Sequence, residues 1–187
     1  MKRGHMKSIC FGNLPEAQST RARRSKKILL VVLCLAAGAL ATPPLGFVVN
    51  QILSMGSTLD NISQQVQMAA APDGSDGPWQ LQLQAQGATD FYIQQLVTAP
   101  GGYSGWHTHP GVLIGTVVSG GIDFYDANCE KRSFTAGQVF MENNQVHAII
   151  NTGPVNAELS IAYLVKHSAP RRSEADAPAC ASSTGIP

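Results

Sequence analysis

Between Trp79 and Lys166 the chain runs in short segments rich in β-branched and aromatic residues, and each is broken by glycine, proline or asparagine. L-Q-L-Q-A-Q alternates apolar and polar residues strictly, and Gly87-Ala88 then turns into D-F-Y-I-Q-Q-L-V-T-A. Later segments read V-L-I-G-T-V-V-S, I-D-F-Y-D, R-S-F-T, Q-V-F-M-E, V-H-A-I-I-N and A-E-L-S-I-A-Y-L-V. Pro100-Gly101-Gly102, Ser119-Gly120-Gly121, Ala127-Asn128, Ala136-Gly137, Asn143-Asn144 and Thr152-Gly153-Pro154 separate them. Alternation with period 2 and turn residues every 8–12 positions or so mark strands of a sandwich or barrel. No stretch of 79–166 carries the 3.6-residue period of a long amphipathic helix. The fold expected is all-β.

The flanks differ from this body. Residues 1–27 hold eight Lys and Arg against one acid, Glu16, so of the chain's 13 basic and 12 acidic residues the rest keeps 5 and 11, a net of −6. An acidic body is a poor partner for a phosphate backbone, so no nucleic acid is expected as a partner. The basic cluster leads into fourteen apolar residues, Ile28 to Ala41, with small residues at Ala39 and Ala41. A positive flank, an apolar run of this length and small residues at its end make a secretory signal, with cleavage after Ala41. A retained membrane anchor from Ile28 to Val49 is the alternative, although Thr42-Pro43-Pro44 would interrupt its helix. Either reading exports the remainder, as an extracellular or periplasmic domain that is free or membrane-anchored. The organisation expected is 1–41 as basic n-region and signal or anchor, 42–78 as a polar linker or edge segment, 79–166 as the β body, and 167–187 as an irregular tail. T-L-D-N-I-S-Q-Q-V-Q-M, within 42–78, suits an edge strand or a short helix. In an oxidising compartment the two cysteines of the body and tail, Cys129 and Cys180, are a candidate disulfide pinning the tail to the domain. Two unpaired thiols are the other possibility.

Three of the five histidines fall in one pattern: His107-Thr108-His109 within G-W-H-T-H-P-G, and His147 within Q-V-H-A-I-I-N. Histidines one residue apart on a strand share a face, and a third from a neighbouring strand completes a triad of imidazoles suited to a divalent transition metal. Ile149 and Asn151 share the parity of His147 and are expected to face the same pocket. Trp106 has the opposite parity from His107, so it is expected to pack away from the site. Glu142 is either a stand-in carboxylate for the metal or a solvent-facing strand end. Tyr92, Phe124, Tyr125 and Tyr163 read as ordinary sheet residues, and His167 as a solvated start of the tail. No Walker loop, dinucleotide fingerprint, CxxC pair or nucleophile elbow is present in the sequence.

Over residues 79–166 the sequence resembles the cupin superfamily, small jelly-roll barrels with two motifs. Gly101, five residues, His107-Thr108-His109 and Gly120 keep the register of the first motif, and Gly137, His147 and Asn151 follow the second with one residue fewer between Gly137 and His147. The resemblance implies a double-stranded β-helix with a mononuclear metal in its mouth. The family's metal-binding Glu is replaced here by Leu113 (or Ile114), and the Pro and Gly of the second motif by Asn143 and Gln145. The implied ligand set is therefore His107, His109 and His147, holding Fe, Zn, Ni or Mn, with Leu113, Ile149 and Asn151 around the pocket. Without a carboxylate such a site keeps the ion's full charge and favours an anionic ligand. Some cupin-related thiol oxygenases use three-histidine iron, so the function implied is a metal-dependent oxygenase or lyase acting on a small polar molecule. The alternative is a non-catalytic module that captures a small ligand or metal. A homodimer is a family-level expectation.

Overall fold

The computed structural model describes residues 41–187; the signal-or-anchor segment through residue 40 lies outside the described residues. Twelve strands are present among the described residues. β1 (Leu45–Thr58), β4 (Thr89–Tyr103), β6 (Gly111–Ser119), β9 (Val139–Glu142) and β11 (Ala157–Lys166) form one wall, in the order β1-β4-β11-β6-β9. β5 (His107–Thr108), β7 (Gly121–Asp126), β8 (Lys131–Thr135), β10 (His147–Ile150) and β12 (Ser173–Glu174) form the other, in the order β12-β5-β10-β7-β8. The walls join where Tyr103, at the end of β4, pairs with Ile150. All pairings are antiparallel, and the result is a nearly closed jelly-roll barrel.

The period-2 patterning decides which side chains fill it. In β11, Ala157, Leu159, Ile161, Tyr163 and Val165 are buried, while the residues between them are at least partly exposed. They meet Leu96, Leu113, Val117, Ile122, Phe124, Phe140 and Ile149 in one apolar cluster. Gly115 makes room for part of it, since a Cβ there would lie 2.2 Å from the Phe140 ring. Burying a side chain of this size is worth roughly 1.5–3 kcal/mol, so the cluster is a large favourable contribution to the barrel's stability. Gln94 and Thr98 of β4 also face inward, and a polar residue there needs a partner.

Three boundaries differ from those read in the sequence. Leu45–Thr58 is a full strand hydrogen-bonded along β4, so this part of the polar segment takes the edge alternative and is an edge strand of the barrel wall, not a linker. Leu45–Val49, the far end of the alternative membrane span, lies in that strand, and no helix of the described residues is long and apolar enough to cross a membrane. The strictly alternating Trp79–Ala85 is not barrel wall: it is β3, paired only with β2 (Ile62–Met68) in a separate two-stranded sheet. One face of this hairpin is glutamine and serine; the other leaves Val66, Met68, Trp79, Leu81 and Leu83 exposed. The strand alternative for Ile62–Met68 is the one adopted. The tail is ordered too. β12 pairs with β5, Ala181–Ser183 forms a 3₁₀ turn, and Ala181 and Ile186 pack with Trp106, Ala148 and Ile150 in a second cluster. The polar composition misled here because two apolar residues, a strand and a covalent link suffice to dock it. That link is the Cys129–Cys180 disulfide, with Cα atoms 6.1 Å apart.

Candidate metal centre

His107 and His147 sit directly opposite each other across β5 and β10. The chain enters β5 through Gly105, whose φ is +70° and whose Cβ, if present, would lie 1.9 Å from the carbonyl oxygen of Thr42. Only glycine fits such a backbone approach. The Gly105 carbonyl then accepts the Nδ1–H of His107 at 2.9 Å. The Nδ1–H of His147 donates to Gln145 O at 2.7 Å, and that of His109 to Arg171 O at 2.8 Å. Each ring is thus held by a backbone carbonyl at Nδ1, which fixes the tautomer and leaves Nε2 as a bare donor atom. All three rings are buried, with centroids 4.4 to 5.2 Å apart, and Phe124 stacks on His147 at 5.6 Å.

The fourth member is Glu142, the last residue of β9. It is buried rather than at a solvent-facing strand end, so of the two sequence readings only the carboxylate one survives. In the β6–β9 ladder its partner is Leu113, the position where the resembling family carries its glutamate. The carboxylate has moved one strand across and enters the same interior, now beside a buried Leu113. Its Oε2 lies 3.0 Å from His109 Nε2 and 3.2 Å from His147 Nε2, while His147 Nε2 has no hydrogen-bond partner among the described residues. With Nδ1 protonated, Nε2 and the carboxylate present lone pairs to one another, and only a cation or a proton between them relieves that. The four donor atoms all lie within 4.8 Å of one another. Ligands at roughly 2.0–2.2 Å from one ion stand about 3–4.4 Å apart, so a small contraction brings them onto it. Residues and geometry fit a divalent transition metal.

Protonation follows the same charges. Burial pushes the Glu142 carboxyl up, but the charge of His147 and the adjoining imidazoles outweigh it and hold it below the usual carboxylate range. Burial alone would lower His147, and Glu142 reverses this, so His147 is raised. Burial, then the charge of His147, drives His107 well below its ordinary value. That direction favours the neutral imidazole, the form able to ligate a metal.

A cavity with about 80 Å³ of free space adjoins the cluster, room for a few waters or a ligand of a handful of heavy atoms. Leu113 and Ile149 line it, together with His107, His109 and Glu142. Asn151 is fully buried but lies beyond that lining: its amide donates to Thr98 O and Val155 O, and its Oδ1 accepts from Gly153 N, closing the turn after β10. Trp106 faces away from the site into the second cluster. His167 is tethered, its Nδ1 2.7 Å from Asp90. Tyr163, read as an ordinary sheet residue, is on the cavity wall with Gln94, Arg171 and Arg172. Burial pushes its phenol up, so it stays protonated, and it donates to Gln94 Oε1. Parity with Ile161 and Val165 was the signal that placed Tyr163 inside. The two arginines carry no such signal, being in a polar tail without period.

The cupin-domain family Cupin_2 matches residues 95–164. No curated protein matches the chain. Among solved structures, the chain is similar to an uncharacterized conserved protein with a double-stranded β-helix domain from Klebsiella pneumoniae, at 18% identity over 63% of this chain and 85% of that one, with a TM-score of 0.40. It is also similar to a predicted oxalate decarboxylase from Thermotoga maritima, at 22% identity over 43% of this chain and 82% of that one, TM-score 0.36. An oxalate oxidase crystallised with glycolate matches at 22% identity over 44% of this chain and 45% of its own, TM-score 0.39.

Proposed function

We propose that this chain, whose residues 95–164 match the Cupin_2 family model, is an exported metal-binding cupin, a metal-dependent oxygenase or lyase acting on a small polar molecule. The observation that carries this reading is the convergence of three tautomer-fixed Nε2 atoms and one buried carboxylate. His107, His109, His147 and Glu142 would hold the ion; bound there it would supply Lewis-acid or redox chemistry to a ligand in the cavity. The chain's own part is to fix the donors, keep Tyr163 protonated beside the ligand, and exclude bulk water with Leu113 and Ile149. Export is supported by the basic and apolar leader and by a disulfide suited to an oxidising compartment.

The full chain purified from a host that exports it is expected to carry about one equivalent of iron, zinc, nickel or manganese by mass spectrometry. His147→Ala should lose it, with affinity reduced by 10-fold or more (about 1.4 kcal/mol per decade). Metal content in wild type and variant that is equally negligible after reloading removes the proposal. A second reading, capture without turnover, is favoured by one feature: Glu142, Tyr163 and Gln94 are all already engaged, leaving no untethered acid or base at the cavity. Oxygen uptake or product formation on a panel of small acids and thiols separates the two.

A further inference from the structure

The leader apart, the chain is short of cations: residues 28–187 hold five, Lys131, Arg132, Lys166, Arg171 and Arg172. Two of these five, Arg171 and Arg172, line the cavity beside His107, His109 and Glu142, while Arg132 lines a second one on the far side of Glu142 and His147. Both come from the C-terminal tail rather than from the barrel.

Arg171 is built in. Its Nη1 donates to Gln94 Oε1 at 2.8 Å and to Tyr163 Oη at 3.1 Å, and its Cζ lies 5.0 Å from the centre of the Tyr163 ring. Gln94 in turn donates to Asn50 of β1, so the guanidinium is braced by three strands. Among the described residues no hydrogen bond engages its Nε or Nη2. The same residue's carbonyl orients His109, so the tail position and the metal ligand are set together. Arg172 donates to Ser104 O at 2.7 Å, and its fork is matched by Glu174 at 2.7 Å through both Nε and Nη2. Arg172 is thus charge-balanced, whereas Arg171 has no acid within salt-bridge distance among the described residues. A divalent ion on Glu142 leaves one positive charge, and Arg171 adds a second, in a cavity with no other anion on its wall.

We propose that the tail completes this cavity as a carboxylate-binding site: the free fork of Arg171 takes the carboxylate of a small organic acid, and the Cys129–Cys180 disulfide latches the tail that presents it. This rests on the metal-binding reading of the same site and names its ligand class. A planar guanidinium with two parallel N–H groups matches a carboxylate as a neutral or single-point donor does not. The cavity's size limits the acid to a few carbons.

The test uses the full chain, loaded with Co(II) and, in parallel, stripped by chelator, titrated calorimetrically with acetate, glycolate and malonate and with neutral acetamide. Wild type is expected to bind at least one of the acids and not acetamide. Arg171→Gln should weaken that binding about 10- to 100-fold at unchanged cobalt content in protein that remains folded, with Arg171→Lys between the two. Cys180→Ser, or mild reduction of the wild type, should weaken it at least about threefold while cobalt remains bound. Equal acid affinity in wild type and Arg171→Gln, or acetamide binding as tightly as acetate, overturns the arginine's role. Unchanged affinity after reduction overturns the latch. Arg171-dependent acid binding by protein that takes up no cobalt leaves this inference standing and removes the metal reading. Cobalt uptake without acid binding does the reverse.

Discussion

Gly105 shows how much a single position decides. Its left-handed φ and the Thr42 carbonyl against its Cα let the chain turn into β5 while the Gly105 carbonyl aims at His107 Nδ1. Gly105→Ala meets both a backbone clash and positive-φ strain, and is expected to cost about 2–4 kcal/mol in urea unfolding. Gly137→Ala has a similar φ, +87°, but open space around the added methyl, and should cost about 1 kcal/mol. Equal losses for the two variants would contradict the steric argument. His107, His109 and His147 were legible as a set because β parity and motif spacing are local properties of a strand. Glu142 was only half legible, since a glutamate closing a strand reads the same whether the barrel or the solvent lies behind it. Trp106 was placed correctly by parity alone.

At the scale of elements, the pairing of β6 with β9 explains how the barrel keeps a carboxylate without the family's glutamate position. Leu113 and Glu142 are direct neighbours across the ladder, and opposite positions on one face have Cβ atoms only about 4.5–5.5 Å apart. Glu142→Leu should therefore weaken metal binding by 10-fold or more, and adding Leu113→Glu to it should restore most of the loss. Competition against a chromophoric chelator measures both, and a double variant no better than the single one would show that the two positions do not reach a common point. Strand segments were readable because each carries its own period and turn residues. The assignment of Trp79–Ala85 to the barrel failed for a related reason: alternation announces a strand with two unlike faces, not which sheet receives it. The tail failed differently, because a two-residue strand and a 3₁₀ turn have no period to detect.

Over the whole molecule, distant segments are tied at a few polar points, and Asp90 is one. Its carboxylate accepts from Ser57 Oγ at 2.6 Å, His167 Nδ1 at 2.7 Å and Ser168 N at 3.0 Å, joining β1, β4 and the start of the tail. The Ser57 hydroxyl first, and then His167, lower its pKa from 3.8 to about 2. A depressed carboxyl contributes stability that is fully present above the unfolded value and is lost as pH falls through the folded one. Thermal unfolding of the wild type should thus lose stability between about pH 4 and pH 2, and Asp90→Asn should flatten that part of the profile; an unchanged slope would argue against it. The sequence by itself determined the β class, the turn positions and the histidine triad, because these follow from periods and spacings a few residues long, and it left Cys129 and Cys180 as a candidate pair. Only the tertiary structure decided that β1 completes a wall, that Glu142 joins the histidines, and that Arg171 and Arg172 arrive from the tail. Those are contacts between residues about thirty to eighty positions apart, set by strand register and by closure of the barrel, and no local pattern encodes either.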